Sequence, residues 1–388
     1  MTQFIAGNHL QLLRNGAEFF PALETAIHNA THEIYLQTYI FEADATGVRI
    51  GNALKKAAQR GVVVHVLLDG FGSKDLAKSF IKSLEDAGVQ VMLYRPKISP
   101  WSLKKSRLRR LHRKVTVIDG KIGFVGGINI IDDFNIPEVA HTNPPPRVDY
   151  ALRVQGALLP AMLSSVRKLW RRMAWLHGEH VESASNTLYI AQLAKEKGVL
   201  AAFVLRDNLL HRRDIENAYL TAITKAKSEI IIANAYFVPG RKFRQALLKA
   251  AKRGVNVKLL LQGRMEYFLM FATHAFYSLF LKNGIEIYEY HQSFMHSKVA
   301  VIDQEWATVG SSNIDPFSLM LAREANIVFK DKPLATALRT DILNTIAVGA
   351  RKIEPVAWAQ GNLFKRFVSW LVFGLVRLFL GVIGLSHK

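Results

Sequence analysis

The chain contains no cysteine. That absence excludes disulfides, thiolate-held zinc and a cysteine nucleophile. Acidic residues are scarce as well: 31 Asp and Glu stand against 51 Lys and Arg, a formal net charge of +20 over 388 residues. A chain so short of negative charge favours an anionic partner, either nucleic acid or an acidic membrane surface. The N-terminus, "MTQFIAGNHLQLLRNGAEFF", lacks the basic start and apolar run of a secretory leader. No cleavable signal and no N-terminal membrane anchor are expected from it. Proline is sparse, 12 in all, and three of them fall together in "HTNPPPRVDY" (His141 to Tyr150), which reads as a loop.

Half of the residues are apolar, enough for a large core, and the length corresponds to two or three domains. The chain repeats itself. "THEIYLQTYIFEADATGVRIGNALKKAAQRGVVVHVLLDG" from Thr31 is echoed by "KSEIIIANAYFVPGRKFRQALLKAAKRGVNVKLLLQG" from Lys227. Each has an apolar run, a helical stretch ending in Arg-Gly (Arg60-Gly61, Arg253-Gly254) and a second β-branched run. "AGVQVMLY" (Ala87) and "NGIEIYEY" (Asn283) follow in the same order. A period near 190 residues (254 − 61 = 193) is a domain duplication rather than a solenoid. Runs such as "VVVHVLLD" suit strands buried on both faces, with helices packed outside. Each half is therefore expected to be a layered α/β/α unit, residues 1–185 and 186–352, with the join in the polar stretch 176–198.

The repeat carries a constellation of reactive residues. "LHRKVTVIDG" contains His112, Lys114 and Asp119; "MHSKVAVIDQ" contains His296, Lys298 and Asp303. The β-branched run Val115 to Ile118 predicts a strand, on which side chains alternate. Each histidine then shares a face with its lysine, and each aspartate turns elsewhere or sits in the following turn. Histidine and lysine on one face suit an anion and a proton transfer. A small-residue turn follows each motif at the same spacing, "GGIN" ending at Asn129 and "GSSN" ending at Asn313. Small residues let backbone amides approach a ligand, and each asparagine adds a donor.

The spacing H-x-K-x4-D-x6-G-[GS]-x-N, complete in both halves, resembles the signature of the phospholipase D superfamily. The resemblance implies two α/β/α units packed with pseudo-twofold symmetry and one active site between them. It implies a catalytic set of His112, Lys114, Asp119, His296, Lys298 and Asp303. Lys114, Asn129, Lys298 and Asn313 would surround a substrate phosphate, doing electrostatically what a metal does elsewhere. One histidine attacks phosphorus and the other handles the proton; the dense cations beside it favour His112 as nucleophile. Asp149 and Glu324, each entering the strand after its motif, would orient the imidazoles. Asp119 and Asp303 belong to the signature, but their facing argues for structural work. No cofactor and no metal are expected.

Within the superfamily the chain is similar to the bacterial cardiolipin synthases, in particular the B type without an N-terminal transmembrane hairpin. The resemblance rests on "GNHLQLLRNGAEFFPALETAIHNATHEIYLQTYIF", "LHRKVTVIDGKIGFVGGINI" and "MHSKVAVIDQEWATVGSSNIDP". It implies transfer of a phosphatidyl group from one phosphatidylglycerol to another, at the cytoplasmic face of a bacterial membrane. Three features point to lipid. The run "LFKRFVSWLVFGLVRLFLGVIGL" (Leu363 to Leu385) reads, with residues 360–388, as a membrane-associating tail. Arg377 makes it a poor single span. "MEYFLMFATHAFYSLFLKNG" (Met265 to Gly284) is aromatic enough to line an acyl-chain entrance. Trp101, Lys104, Lys105, Arg107, Arg109, Arg110 and Arg113 crowd the first motif, as at an anionic headgroup interface. Nucleic acid is not expected as a partner, although two other readings stay open: a hydrolase or transphosphatidylase on other lipids, and a nuclease using water as acceptor.

Overall fold

The computed structural model describes residues 2–96, 108–136, 145–178, 198–264, 268–360 and 363–382. Seven strands make the first half: β1 (Ile5–Arg14), β2 (Glu33–Thr38), β3 (Val63–Asp69), β4 (Gln90–Tyr94), β5 (Lys114–Ile118), β6 (Ile122–Gly126) and β7 (Tyr150–Gly156). Seven equivalents follow: β8 (Val199–Arg206), β9 (Glu229–Asn234), β10 (Asn256–Gln262), β11 (Glu286–Tyr290), β12 (Lys298–Ile302), β13 (Trp306–Gly310) and β14 (Glu324–Lys330), with a short β15 (Ala350–Lys352) at the edge. Strand order is β15-β11-β10-β9-β12-β13-β14-β8-β1-β7-β6-β5-β2-β3-β4. The order on one side mirrors the other about the antiparallel β8–β1 pair. The halves are thus one continuous sheet, a closer union than two separately packed units. In each half the strands carrying the helical crossovers are parallel (β2-β3-β4 and β9-β10-β11) and the rest antiparallel.

Three apolar cores hold the layers. Two lie outside the sheet, one per half: Phe19, Leu23, Ile50, Leu54 and Val66 in the first, Tyr219, Phe243, Leu247, Ile232 and Leu259 in the second. The third is shared. Val115, Val117 and Leu152 from one half meet Val299, Val301 and Ile327 from the other, closed by Trp170 of helix Leu159–His177 and Leu338 of helix Lys332–Gly349. Burying such side chains contributes about 1.5–3 kcal/mol each, so the shared core helps hold the halves together.

The repeated Arg-Gly has a structural reason. Gly61 and Gly254 have φ of 90° and 87°, left-handed values that a residue with Cβ resists. The Arg60 guanidinium donates to the carbonyls of Ile27 and His28, and that of Arg253 to Ile223 and Ala226. Each arginine thereby satisfies the exposed C-terminal carbonyls of the preceding helix and ties two helices together.

The tail is a helix, Leu363–Val382, and it is not detached. Ser369, Val372 and Val376 are buried on its inner side, and Phe373 meets Phe276 edge-on at 4.8 Å. On the opposite side Leu371, Leu375 and Leu378 are exposed. No helix among the described residues is long and apolar enough to cross a membrane. The aromatic stretch before it packs: Phe276, Tyr277 and Phe280 are core residues, Phe276 against this helix and Tyr277 against Trp358 at 4.9 Å. Met265, the polar join at 179–197 with the boundary at 185/186, the cations Lys104, Lys105 and Arg107 with Trp101, and the side chains of Lys365, Arg366 and Arg377 lie outside the described residues.

Candidate active site

Strands β5 and β12 begin at Lys114 and Lys298, and the two histidines sit two residues ahead of them. Each histidine segment is stitched into the opposite half. The His112 backbone N–H donates to Arg323 O (3.0 Å), just before β14, and the His296 N–H donates to Val148 O (2.9 Å), just before β7. The side chains follow the same exchange. His112 Nδ1 lies 2.9 and 3.1 Å from the two Glu324 carboxylate oxygens, and His296 Nδ1 lies 2.7 Å from Asp149 Oδ2. Each imidazole is thus oriented by a carboxylate from the other half, and neither half has a complete dyad of its own. His112 and His296 remain 15% and 12% exposed, which leaves their outer edges for substrate.

The turn residues explain how each carboxylate fits. A Cβ on Gly127 would stand 2.3 Å from Asp149 Oδ1, so only glycine admits that carboxylate. At the matching position Ser311 is accepted because its hydroxyl donates to Glu324 Oε2 (2.5 Å). Asn15, at a left-handed φ of 55°, accepts the Asp149 N–H and fixes the strand entry. Tyr39 packs edge-on to His112 (4.8 Å) and beneath the Lys114 ammonium (5.3 Å); Phe294 stacks on His296 at 5.9 Å.

Both lysines are buried. Lys114 Nζ donates to His112 O at 2.7 Å, and Lys298 Nζ to His296 O. Burial pushes Lys114 down to about 7 and Lys298 down to about 8, with Glu324 and Asp149 pulling each back up. A phosphate arriving between them would restore their charge. Burial also lowers His112, against the pull of Glu324, and lowers His296 further, where Lys298, Lys114 and His112 add repulsion. Burial raises Asp149 to about 7, against the attraction of Lys298. The Asp149–His296 pair therefore keeps an extra proton up to near neutrality, whichever side of the bond carries it. That arrangement leaves N–H on the outer nitrogen of His296. His112, neutral with Nδ1–H directed at Glu324, leaves its outer nitrogen with a free lone pair.

The asparagines lie in the turns after β6 and β13. Asn129, buried, accepts the Ile40 N–H on Oδ1 (3.1 Å), and Asn313 is buried with Oδ1 unpartnered. Asp119 and Asp303 do not join the site. They stand at the far ends of β5 and β12, both near φ 53°, a strand's length (~16 Å) from the lysines. Asp119 accepts the backbone N–H groups of Thr31, His32 and Glu33; Asp303 accepts those of Lys227, Ser228 and Glu229. Each caps the turn that starts β2 or β9.

Paired His-x-Lys motifs, exchanged carboxylates and a twofold sheet define a phospholipase D-like phosphotransfer site. The chain belongs to the family described as cardiolipin synthase, phospholipase D-like domain, which matches residues 23–133 and 219–345, one segment in each half. It is 38% identical over 390 residues to cardiolipin synthase B of Salmonella typhimurium, covering 97% of this chain and 90% of that protein. It is 37% identical over 389 residues to cardiolipin synthase B of Escherichia coli K12, with the same coverage. In fold it is similar to a phosphatidylserine synthase crystal structure from Haemophilus influenzae Rd KW20, with a TM-score of 0.70 at 14% identity, covering 99% of this chain and 97% of that one.

Proposed function

We propose that this chain is a cardiolipin synthase that joins two phosphatidylglycerol molecules and releases glycerol. The observation that carries the reading is the pair of imidazoles, each held by a carboxylate from the opposite half beside a buried lysine. The relatives' names supply the substrate class. In the first step the outer nitrogen of His112 attacks phosphorus, and the bond to the glycerol oxygen breaks as His296 gives that oxygen a proton. Glu324 stabilises the positive charge that His112 acquires on bonding to phosphorus. In the second step His296 takes the proton from the terminal hydroxyl of another phosphatidylglycerol, that oxygen attacks phosphorus, and His112 leaves. Lys114, Lys298, Asn129 and Asn313 hold the phosphoryl oxygens as charge builds. Work done by fixed ammonium groups in a buried site needs no reorganisation at the moment of reaction.

The enzyme works at a membrane surface on the cytoplasmic side. The exposed face of helix Leu363–Val382 lies in the lipid headgroup region, and the excess positive charge holds the protein to anionic lipid. The test is product analysis. Purified protein with phosphatidylglycerol in mixed micelles and EDTA gives cardiolipin and glycerol. Phosphatidic acid alone identifies a hydrolase, and an inert lipid pool with cleaved nucleic acid identifies a nuclease; either result overturns the reading.

A further inference from the structure

Beside the reaction centre lies a crowd of guanidinium groups that the two-step chemistry above does not use. Arg323 immediately precedes Glu324; its backbone N–H donates to Arg110 O (2.8 Å) and its carbonyl accepts from His112 N–H. Its Nε reaches the Tyr94 hydroxyl at 3.4 Å. Arg109 stands three residues before His112, Arg95 follows Tyr94 at the end of β4, and Arg212 stands on the turn after β8. Arg206, the register partner of Glu324, is buried behind them, tied to Ala322 and Leu319 carbonyls. Burial lowers Arg109, and Arg95, Arg323 and Arg212 all lower it further by repulsion. Arg109 Nε is buried without a hydrogen-bond partner. Among the described residues Arg95, Arg109, Arg212 and Arg323 make no ion pair. Asp207, which stands among them, already accepts the N–H groups of Leu209, Leu210 and His211. Arg95 is held at a left-handed φ of 52°, a conformation a residue with Cβ adopts only where its surroundings impose it.

Four guanidinium groups gathered beside an active site outnumber the Asp207 carboxylate among them, and the net positive charge suits an anion. The anion is not the one being transferred, because that phosphate belongs to the histidines and lysines. We propose that Arg95, Arg109, Arg212 and Arg323 form a second phosphate subsite that binds the phosphodiester of the acceptor lipid while its terminal hydroxyl faces His296 and the phosphorus held on His112. This rests on the synthase reading above and goes beyond it. Joining two anionic lipids brings two phosphates to within one glycerol of each other, and their repulsion has to be offset by fixed positive charge. A neutral alcohol or water as acceptor requires no such site. The turn that carries Arg212 also exposes Leu209 and Leu210, 70% and 79% accessible, an apolar lip past which acyl chains can leave. That lip favours a lipid phosphodiester over free phosphate.

The test compares acceptors in one enzyme. With phosphatidylglycerol as donor, cardiolipin reports the lipid acceptor and phosphatidylethanol reports added ethanol. In Arg109→Gln/Arg212→Gln, cardiolipin formation at low acceptor falls about tenfold or more through a raised KM, as expected for lost charge-assisted hydrogen bonds, while transfer to ethanol stays within about twofold. The lysine pair, Arg109→Lys/Arg212→Lys, recovers part of the loss. Arg212→Gln alone, at an exposed position, carries the same comparison if the double variant melts early. Parallel loss of both products, or unchanged cardiolipin formation, overturns the subsite alone. Suppression of cardiolipin formation by millimolar inorganic phosphate, with ethanol transfer intact, makes it a free-phosphate site and also overturns the proposal. Wild-type protein that transfers to ethanol and never makes cardiolipin overturns the synthase reading, and the subsite with it.

Discussion

Glu324 is the side chain whose charge the account depends on most. It is fully buried, meets His112 Nδ1 with both oxygens and accepts the Ser311 hydroxyl. Glu324→Gln keeps the volume and removes the charge. Its effects are two. A hydrogen bond between ions becomes a neutral one just as His112 turns cationic, worth about 1.5–3 kcal/mol or roughly 10- to 150-fold. The amide can also turn its NH2 toward Nδ1, which moves the ring proton to the outer nitrogen and removes the attacking lone pair. Mis-set tautomers of this kind cost other histidine enzymes about 10⁴ in kcat. The expectation is a fall of about 10³- to 10⁴-fold in the rate of phosphatidyl-enzyme formation, with KM for lipid within a few-fold. Rapid quench of enzyme in excess over labelled phosphatidylglycerol measures that rate directly. Circular dichroism and thermal melting show whether the fold persists. A variant that folds and still forms the intermediate at near wild-type rate refutes the role given to Glu324.

The pH profile of kcat/KM should be a bell. Its acid limb, set by protonation of His112, falls below the ordinary imidazole value of 6.5, and its alkaline limb lies near 7, where Asp149–His296 and Lys114 lose protons. Asp149→Asn removes that proton store, and kcat should drop with the alkaline limb displaced; a profile flat from pH 5 to 9 in wild type, measured by initial rates, contradicts the assignment. Gly127→Ala should displace Asp149 and cost about 1–3 kcal/mol in stability as well as activity, read by urea unfolding, since the new Cβ would overlap the carboxylate. Leu371→Ser/Leu375→Ser/Leu378→Ser should lower sedimentation with anionic liposomes and leave Tm unchanged, because those side chains face outward. Full pelleting of that variant at high salt would show that the helix does not anchor the protein.

Much of the site was legible because its elements recur in order along the chain. His112, Lys114 and Asn129 are each matched by an equivalent at identical internal spacing, so the repeat itself marks them. The exchange of carboxylates was not legible. Asp149 and His296 are 147 residues apart, His112 and Glu324 are 212 apart, and which carboxylate meets which ring is decided by the β1–β8 junction. Tyr39 and Phe294 escaped for a different reason: an aromatic beside a strand reads as core, and only the structure shows Tyr39 against His112 and Phe294 against His296. The tail reads as membrane-associating because apolar residues surround its axis. Yet Ser369, Val372 and Val376 follow the three- and four-residue spacing of a docked face, a signal present in the sequence but masked by the apolar residues around it. The arginines Arg95, Arg206, Arg212 and Arg323 are scattered over the chain, and only the fold gathers them.

The central claim is a covalent phosphohistidine on His112, and mapping that intermediate tests it most directly. Enzyme mixed with labelled phosphatidylglycerol is quenched in mildly alkaline detergent, which preserves phosphorus–nitrogen bonds, then digested and sequenced by mass spectrometry. One labelled peptide is expected, modified at His112, that appears before cardiolipin and is discharged by fresh phosphatidylglycerol. Label on His296, or cardiolipin formed at full rate with no labelled peptide at any time, would contradict it.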